Sequence, residues 1–144
     1  MLPRIALTLG DVSGIGPEVI VRAWCARPLH SWCRPVVVGH PEVVRRAVKL
    51  CRADLEVRAI ANIDQASDDG AVISCWNPAG DEASQAPAGQ NDARAGRAAY
   101  ECLVGAARAA FERTVDAVAT APLSKAALRL AGLTYPGHTE ILAE

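Results

Sequence analysis

The sequence predicts an α/β protein with a mostly parallel sheet and flanking helices. Short apolar runs bounded by glycine or proline alternate along the chain with longer segments of helical spacing. The chain has 144 residues, of which 51% are hydrophobic, so it is long enough to bury a core. Only 4% of the residues are aromatic, and a core of alanine, valine and leucine suits helices packed on a sheet better than an aromatic β-sandwich.

Composition excludes several classes of protein. The 15 Lys+Arg and 16 Asp+Glu residues give a formal net charge of -1, which provides no basic surface for nucleic acid. General disorder is excluded because the chain is rich in apolar residues and 22% charged. The chain has no apolar run of about 18 residues and no signal-peptide pattern, so we expect a cytoplasmic protein without a membrane partner.

Cysteine and histidine spacing predicts no metal site and no disulfide framework. The residues concerned are Cys25, Cys33, Cys51, Cys75 and Cys102, with His30, His40 and His138. No Cys-x-x-Cys pair occurs, and the histidines are too far apart to form a local ligand pair. We therefore expect most of the cysteines to be small buried hydrophobic residues.

The opening segment predicts a strand, a turn and a helix. Residues Arg4–Leu9 form a buried strand that stops at a glycine, and residues 15–26 have apolar residues on one helical face. Pro17 suits the first turn of that helix, and Ser13 is a candidate cap.

The rest of the chain continues the alternation of strands and helices. Further strands are expected at residues 35–39, 55–60, 71–76 and 117–120, and helices at residues 41–51, 92–113, 124–131 and 138–144. Residues 77–91 carry two prolines and two glycines and form a long loop. The last helix begins only seven residues before the end, so we expect the chain to be part of a longer protein.

Three polar segments follow strands or turns, where ligands of parallel sheets are found. The first contains Gly10, Asp11, Gly14 and Gly16, and it matches neither a P-loop nor the dinucleotide fingerprint. It is either a tight strand–helix turn or a loop that lines a cleft.

The other two segments carry cationic and neutral polar side chains. Lys125 follows the strand at residues 117–120 and is either a surface lysine or a group that holds an anion. His138 and Thr139 follow Gly137 at a helix start. Thr139 is either the helix cap or, with His138, part of an anion site.

Taken together, these motifs resemble the 4-hydroxythreonine-4-phosphate dehydrogenase family of pyridoxal phosphate biosynthesis. The resemblance rests on the opening Thr-Leu-Gly-Asp-x-Ser-Gly-Ile-Gly-Pro-Glu, on Asp-Ala-Val-Ala-Thr-Ala-Pro-Leu-Ser-Lys, and on Gly-His-Thr-Glu-x-Leu-Ala-Glu at the end. It extends from Ile5 to Glu144, and the order and spacing of the motifs are specific.

The resemblance implies a fold like that of isocitrate and isopropylmalate dehydrogenases, with two α/β lobes and an obligate dimer. It implies NAD-dependent oxidation of a phosphorylated hydroxy amino acid, then loss of CO2, with a divalent metal (Zn, Mg or Co) that polarises the hydroxyl and then the ketone. It places His138 and Thr139 on the family's substrate-binding pair and Lys125 near the same pocket.

The chain departs from the family pattern in two ways. Val12 replaces a usual proline in the opening loop. Family members are more than twice as long, and their metal-binding histidines and most of their NAD contacts lie downstream of Gly-His-Thr-Glu. We therefore expect residues 1–144 to be the N-terminal part of a two-lobed dehydrogenase, inactive alone and a poor binder of NAD or metal. Two alternatives stay open: a dehydrogenase of a related four-carbon phosphorylated sugar acid, and a non-catalytic remnant that binds an anion or a partner chain.

Overall fold

The structure is a computed structural model that describes residues 1–144. It has five strands: β1 Arg4–Thr8, β2 Arg34–Val38, β3 Glu56–Ile60, β4 Val72–Trp76 and β5 Ala117–Thr120. It has six α-helices: α1 Gly16–Cys25, α2 Arg27–Trp32, α3 Pro41–Leu50, α4 Ala93–Phe111, α5 Lys125–Leu130 and α6 His138–Ala143. Every strand predicted from the sequence is present, so the predicted α/β class is confirmed.

The strands form one sheet in the order β3-β4-β2-β1-β5, and every neighbouring pair is parallel. β1 lies between β2 and β5, with Thr8 level with Val38 on one side and Thr120 on the other. This register brings the loops after β1 and β5 to the same edge of the sheet.

Helices cover both faces of the sheet, which explains why its central strands are continuous apolar runs. Leu7 and Val37 face a 13-residue cluster with α1 and α3. Ala6 and Val36 point the other way, into an 8-residue cluster with α4. Alternate residues of one strand therefore support two separate layers.

The last two helices pack on α4 rather than on the sheet. Their cluster has only three buried residues: Leu103 of α4, Leu128 of α5 and Ile141 of α6. Tyr100 and Tyr135 stack beside it with ring centroids 5.6 Å apart. The residues from 124 to 144 are thus held mainly by a single helix.

The structure corrects one local prediction and adds one helix that the sequence pattern does not indicate. Ser13 does not cap α1, because the helix begins at Gly16 with Ile15 as its N-cap and no side-chain cap bond. The short helix α2 was not predicted, since its six residues have no buried member and therefore no apolar stripe.

Other features concern the long loop, the cysteines and membrane insertion. Residues 77–91 contain one 3-10 turn, Asp81–Gln85, in which Ala83 is buried. Burial of Cys33, Cys75 and Cys102 agrees with the expected hydrophobic role of most cysteines. None of the helices has the length and apolar character needed to cross a bilayer.

Candidate functional site

The loops after β1 and β5 interlock through their backbones. The Asp11 amide donates to the Pro122 carbonyl at 2.9 Å. Gly10 has φ +65°, and a Cβ there would lie 2.2 Å from the Pro122 oxygen. A Cβ on Gly16 would lie 2.0 Å from the Leu9 oxygen. Close backbone packing therefore accounts for Gly10 and Gly16, while Gly14 is exposed.

The segment before α4 closes over the same edge of the sheet. The Gly89 amide donates to the Ser13 carbonyl at 2.8 Å, and the Ser124 hydroxyl lies 2.9 Å from the Asn91 Oδ1. Ser124 also caps α5 by accepting from the Ala127 amide at 3.1 Å. Three segments far apart in sequence are thus joined around the predicted opening loop.

Two carboxylates lie in this junction. The Ser13 amide donates to Asp11 Oδ1 at 3.0 Å. Burial raises the pKa of Asp11, the Ser13 hydrogen bond opposes that rise, and the negative charge of Asp92 adds to it. Asp92 caps α4 and pairs with Arg94 at 2.8 Å. The Arg94 hydrogen bond lowers the pKa of Asp92 to about 2.

Ser13 is a polar group that sequence reasoning placed wrongly. It is 5% exposed, and its hydroxyl has no hydrogen-bond partner. The sequence signal, a serine before a helix, is the same for a capping serine and for one buried in a turn. The contact with Gly89, 76 residues away in the chain, is what marks Ser13 as a buried turn residue and not a helix cap.

The other predicted site residues begin helices. Lys125 is exposed at the first position of α5. His138 is half-buried and Thr139 exposed in the first turn of α6. The N-cap of α6 is Gly137, which makes no side-chain cap bond, so the alternative that Thr139 is the cap is wrong.

The structure leaves the polar side chains at these helix starts available. Lys125, His138 and Thr139 form no side-chain hydrogen bond or ion pair with the rest of the chain. The contacts around the opening loop join it to residues 89–92 and 121–124, and no hydrogen bond connects it to α6. The predicted convergence of Lys125 and His138 stays a prediction.

The residues of this chain do not by themselves fit a metal ion. No group of three or more His, Cys, Asp or Glu side chains is arranged to hold one. His40 caps α3 by accepting from the Glu42 amide at 3.1 Å, and its Nε2 lies 3.3 Å from Asp81. His30 binds the Trp24 carbonyl at 2.7 Å. These residues therefore provide no metal centre of their own.

Comparison with known proteins supports the resemblance seen in the motifs. The 4-hydroxythreonine-4-phosphate dehydrogenase of Beijerinckia indica is 39% identical over 142 residues, which cover 97% of this chain and 41% of that relative. The D-threonate 4-phosphate dehydrogenase of Cupriavidus necator is 38% identical over 146 residues, with coverage of 99% and 42%.

A solved structure gives the same result for the fold. The crystal structure of a 4-hydroxythreonine-4-phosphate dehydrogenase from Burkholderia phymatum superimposes with a TM-score of 0.92 and 36% identity, and the match covers 99% of this chain and 43% of that one. The chain thus spans less than half the length of the relatives it matches.

The family model described as pyridoxal phosphate biosynthetic protein PdxA matches residues 31–144, which is most of the chain. The opening motif, β1 and α1 lie outside that range, which includes β2–β5, α3–α6 and the Gly-His-Thr-Glu segment. The chain belongs to the family of pyridoxal phosphate biosynthetic protein PdxA.

Proposed function

We propose that this chain provides the substrate-binding part of an NAD-dependent 4-hydroxythreonine-4-phosphate dehydrogenase. The whole enzyme oxidises a phosphorylated hydroxy amino acid and then releases CO2. The observation that carries the proposal is the Gly-His-Thr-Glu segment, which begins a helix with its polar side chains free. The relatives named above are dehydrogenases of phosphorylated four-carbon acids, which supports this class of substrate.

In this proposal His138 and Thr139 bind the phosphorylated substrate. An imidazole and a hydroxyl both offer hydrogen bonds to an anion, and the first turn of a helix adds unpaired amide groups. Lys125 begins α5, and its exposed ammonium adds positive charge to the same pocket. The loop that holds Asp11 and Gly14 forms a wall of the cleft.

NAD and the divalent metal bind mainly to the rest of the enzyme, since this chain has no complete donor set for a metal. Bound there, a divalent metal would supply Lewis-acid polarisation and NAD would supply a hydride acceptor, while this chain would bind the phosphorylated substrate. We propose that the whole enzyme is a cytoplasmic homodimer.

A second candidate substrate is D-threonate 4-phosphate, a phosphorylated four-carbon sugar acid without an amino group. The Cupriavidus necator relative named for it is 38% identical, against 39% for the Beijerinckia indica relative named for 4-hydroxythreonine 4-phosphate. Because these identities are nearly equal, both substrates are included in the test.

The first test is an NMR titration of the 144-residue chain with each phosphorylated acid. We expect amide shifts at residues 137–140 and a Kd in the millimolar range, about 4 kcal/mol of binding free energy. His138→Ala removes these shifts, whereas His30→Gln, a change at another half-buried histidine, leaves them. If His138→Ala leaves the shifts unchanged, the site assignment is wrong.

The second test is a steady-state assay with NAD, divalent metal and both acids. We expect no turnover by this chain alone, because hydride transfer needs the cofactor and metal held against the substrate. Turnover that disappears in His138→Ala would show that the chain contains a complete site. Binding of neither acid in the titration would instead favour the non-catalytic alternative.

A further inference from the structure

A surface pocket of about 490 Å³ lies at the amino ends of β1, β2 and β5, the opposite edge of the sheet from the loops described above. Three arginines line it: Arg4, Arg34 and Arg113. Thr114 and Asp116 complete its polar wall. We propose that these three arginines form a binding site for a phosphate group, either inorganic phosphate or a small phosphate monoester.

Arg4 carries the argument. It is the first residue of β1 and is only 9% exposed, yet its Nη1 has no hydrogen-bond partner. Its Nη2 reaches Asp68 Oδ1 at 3.4 Å, which is a long contact for an ion pair. A buried guanidinium with an unpaired N–H is costly. A rotation of the Arg4 side chain would bring Nη1 to an anion in the pocket, which would supply the missing acceptor.

The other two arginines add positive charge from separate elements. Arg34 begins β2; its Nε donates to the Leu2 carbonyl at 3.1 Å, and its Nη1 lies 3.7 Å from Asp68 Oδ2. Arg113 follows α4, is exposed, and takes part in no side-chain hydrogen bond or ion pair. Its guanidinium is therefore free to bind a ligand.

The nearby carboxylates do not balance these charges. Asp116 Oδ2 already accepts the Arg4 backbone amide at 2.7 Å, and Asp68 is 57% exposed and shared between two arginines. The pocket lining thus has three arginines and one carboxylate, Asp116, while Asp68 contacts Arg4 and Arg34 from outside that lining. Planar guanidinium groups bind oxygens in pairs, and a phosphate offers more oxygens to three arginines than a carboxylate does, which favours a phosphate over a halide or a single carboxylate.

The inference does not depend on the proposed dehydrogenase activity, and its test is separate. The 144-residue chain is titrated at constant ionic strength with inorganic phosphate and, in a second arm, with glycerol 3-phosphate. We expect amide shifts at residues 4, 34 and 113–116, with a millimolar Kd. The second arm shows whether the pocket accepts an esterified phosphate. Absence of these shifts in both arms would overturn the proposal.

Single substitutions test whether the arginines of this pocket bind the phosphate. Arg113→Gln is expected to weaken phosphate binding about tenfold, as loss of one charge-assisted hydrogen bond does. Arg52→Gln is the matched control, because Arg52 is also exposed and unpaired. Its backbone is in the same left-handed conformation, with φ 50° against 62° for Arg113. If both variants weaken binding equally, the effect is one of overall charge and the site does not exist.

A gain-of-binding variant guards against effects on folding. Asp68→Asn removes a carboxylate that competes for Arg4 and Arg34, so phosphate is expected to bind about threefold more tightly. His138→Ala is expected to leave this Kd unchanged, which separates the pocket from the proposed substrate site. Weaker phosphate binding by Asp68→Asn would contradict the proposal.

Discussion

The sheet core and the α5–α6 end (residues 124–144) differ in the number of apolar residues that they bury. One face of the sheet buries 13 residues in a continuous cluster, whereas the α5–α6 end rests on three. Hydrophobic burial scales with the area removed from water, so the first region carries most of the stability. The proposed substrate residues lie in the second region, which has little packing of its own.

This difference indicates how the two regions open. A region with few buried contacts unfolds locally at a lower free energy than the global transition. The α5–α6 end is held by α4 contacts at Gly96 and by the burial of Ile141. Two side-chain hydrogen bonds add to these contacts, from Arg97 to the Ala131 carbonyl at 3.0 Å and from the Ser124 hydroxyl to Asn91 Oδ1 at 2.9 Å. Mutations in the two regions should therefore differ in the free energy of unfolding that they remove. They should also differ in how much of the chain exchanges its amide hydrogens faster.

The largest effect is expected for Leu9→Ala. Leu9 is 1% exposed and belongs to the 13-residue cluster, and a Cβ on Gly39 would lie 2.3 Å from its Cδ1. Removing the side chain leaves a cavity in the sheet core and lowers the free energy of unfolding by about 4 kcal/mol. Urea denaturation measures the loss, and hydrogen exchange is expected to accelerate across all five strands.

Leu130→Ala is the control for that variant. Leu130 is 60% exposed and its truncation is expected to change the free energy of unfolding by less than about 0.5 kcal/mol. A comparable loss from both variants would mean that the sheet core does not dominate stability.

A smaller effect is expected for Gly96→Ala at the contact between α4 and α5. A Cβ on Gly96 would lie 2.1 Å from the Ala127 oxygen and 2.8 Å from the Leu128 amide nitrogen. Backbone atoms cannot move aside as a flexible side chain does, so α5 is displaced. We expect a loss of about 3 kcal/mol, despite the higher helix propensity of alanine.

Gly80→Ala serves as the control, because no atom lies within 4 Å of its Cβ position and it needs no positive φ. Thermal denaturation of both variants, with exchange rates at residues 125–143, measures the effect. If Gly96→Ala is as stable as Gly80→Ala, the two helices are not in close backbone contact.

The fold could be predicted where the apolar pattern is local, and only there. The run Arg-Pro-Val-Val-Val and the stripe of α4 are visible in sequence because a continuous apolar run and a helical apolar period are properties of the segment itself. The helix α2 and the strand order have no such local signal, because α2 buries nothing and strand order depends on contacts between distant segments.

The local positions of the candidate site residues were predicted in part for the same reason. Lys125 and His138 were placed correctly at helix starts, since capping and glycine signals are local. The buried hydroxyl of Ser13 and the unpaired Nη1 of Arg4 were not predicted. Ser13 is enclosed by a contact 76 residues away at Gly89, and Arg4 by one 64 residues away at Asp68.

A third, still smaller effect is expected for Ile141→Ala, and it tests whether the α5–α6 end opens by itself. Ile141 is 5% exposed and joins α6 to Leu103 and Leu128. We expect a loss of about 2 kcal/mol, at the low end for isoleucine because the cluster is small. Hydrogen exchange should accelerate in α6 and the end of α5 while β1 and β2 stay protected.

Leu142→Ala, at the adjacent position and 49% exposed, is the control for Ile141→Ala. Uniform acceleration of exchange across the sheet in Ile141→Ala would show that the two regions unfold as one unit. In that case the packing difference would have no consequence for dynamics at the proposed substrate residues.

The smallest effect is expected for Asp11→Asn, in the loop that follows the sheet core. Burial raises the pKa of Asp11 above 3.8, with a contribution from the charge of Asp92. An acid whose pKa is raised by folding binds more protons when folded, so its ionisation destabilises the fold as pH rises from about 4 through the folded pKa. Asparagine keeps an oxygen for the Ser13 amide but carries no charge.

Asp11→Asn is therefore expected to be more stable than the parent chain at pH 7, by less than about 1 kcal/mol because the carboxylate is only half-buried and water screens it. The two chains should converge at acidic pH, where Asp11 is protonated in both states. Urea denaturation between pH 3 and pH 8 measures this. In the Asp92→Asn background the gain should shrink but persist, because burial is the larger cause of the raised pKa. If the stabilisation by Asp11→Asn disappears in that background, charge repulsion from Asp92, and not burial, is the main cause of the raised pKa of Asp11.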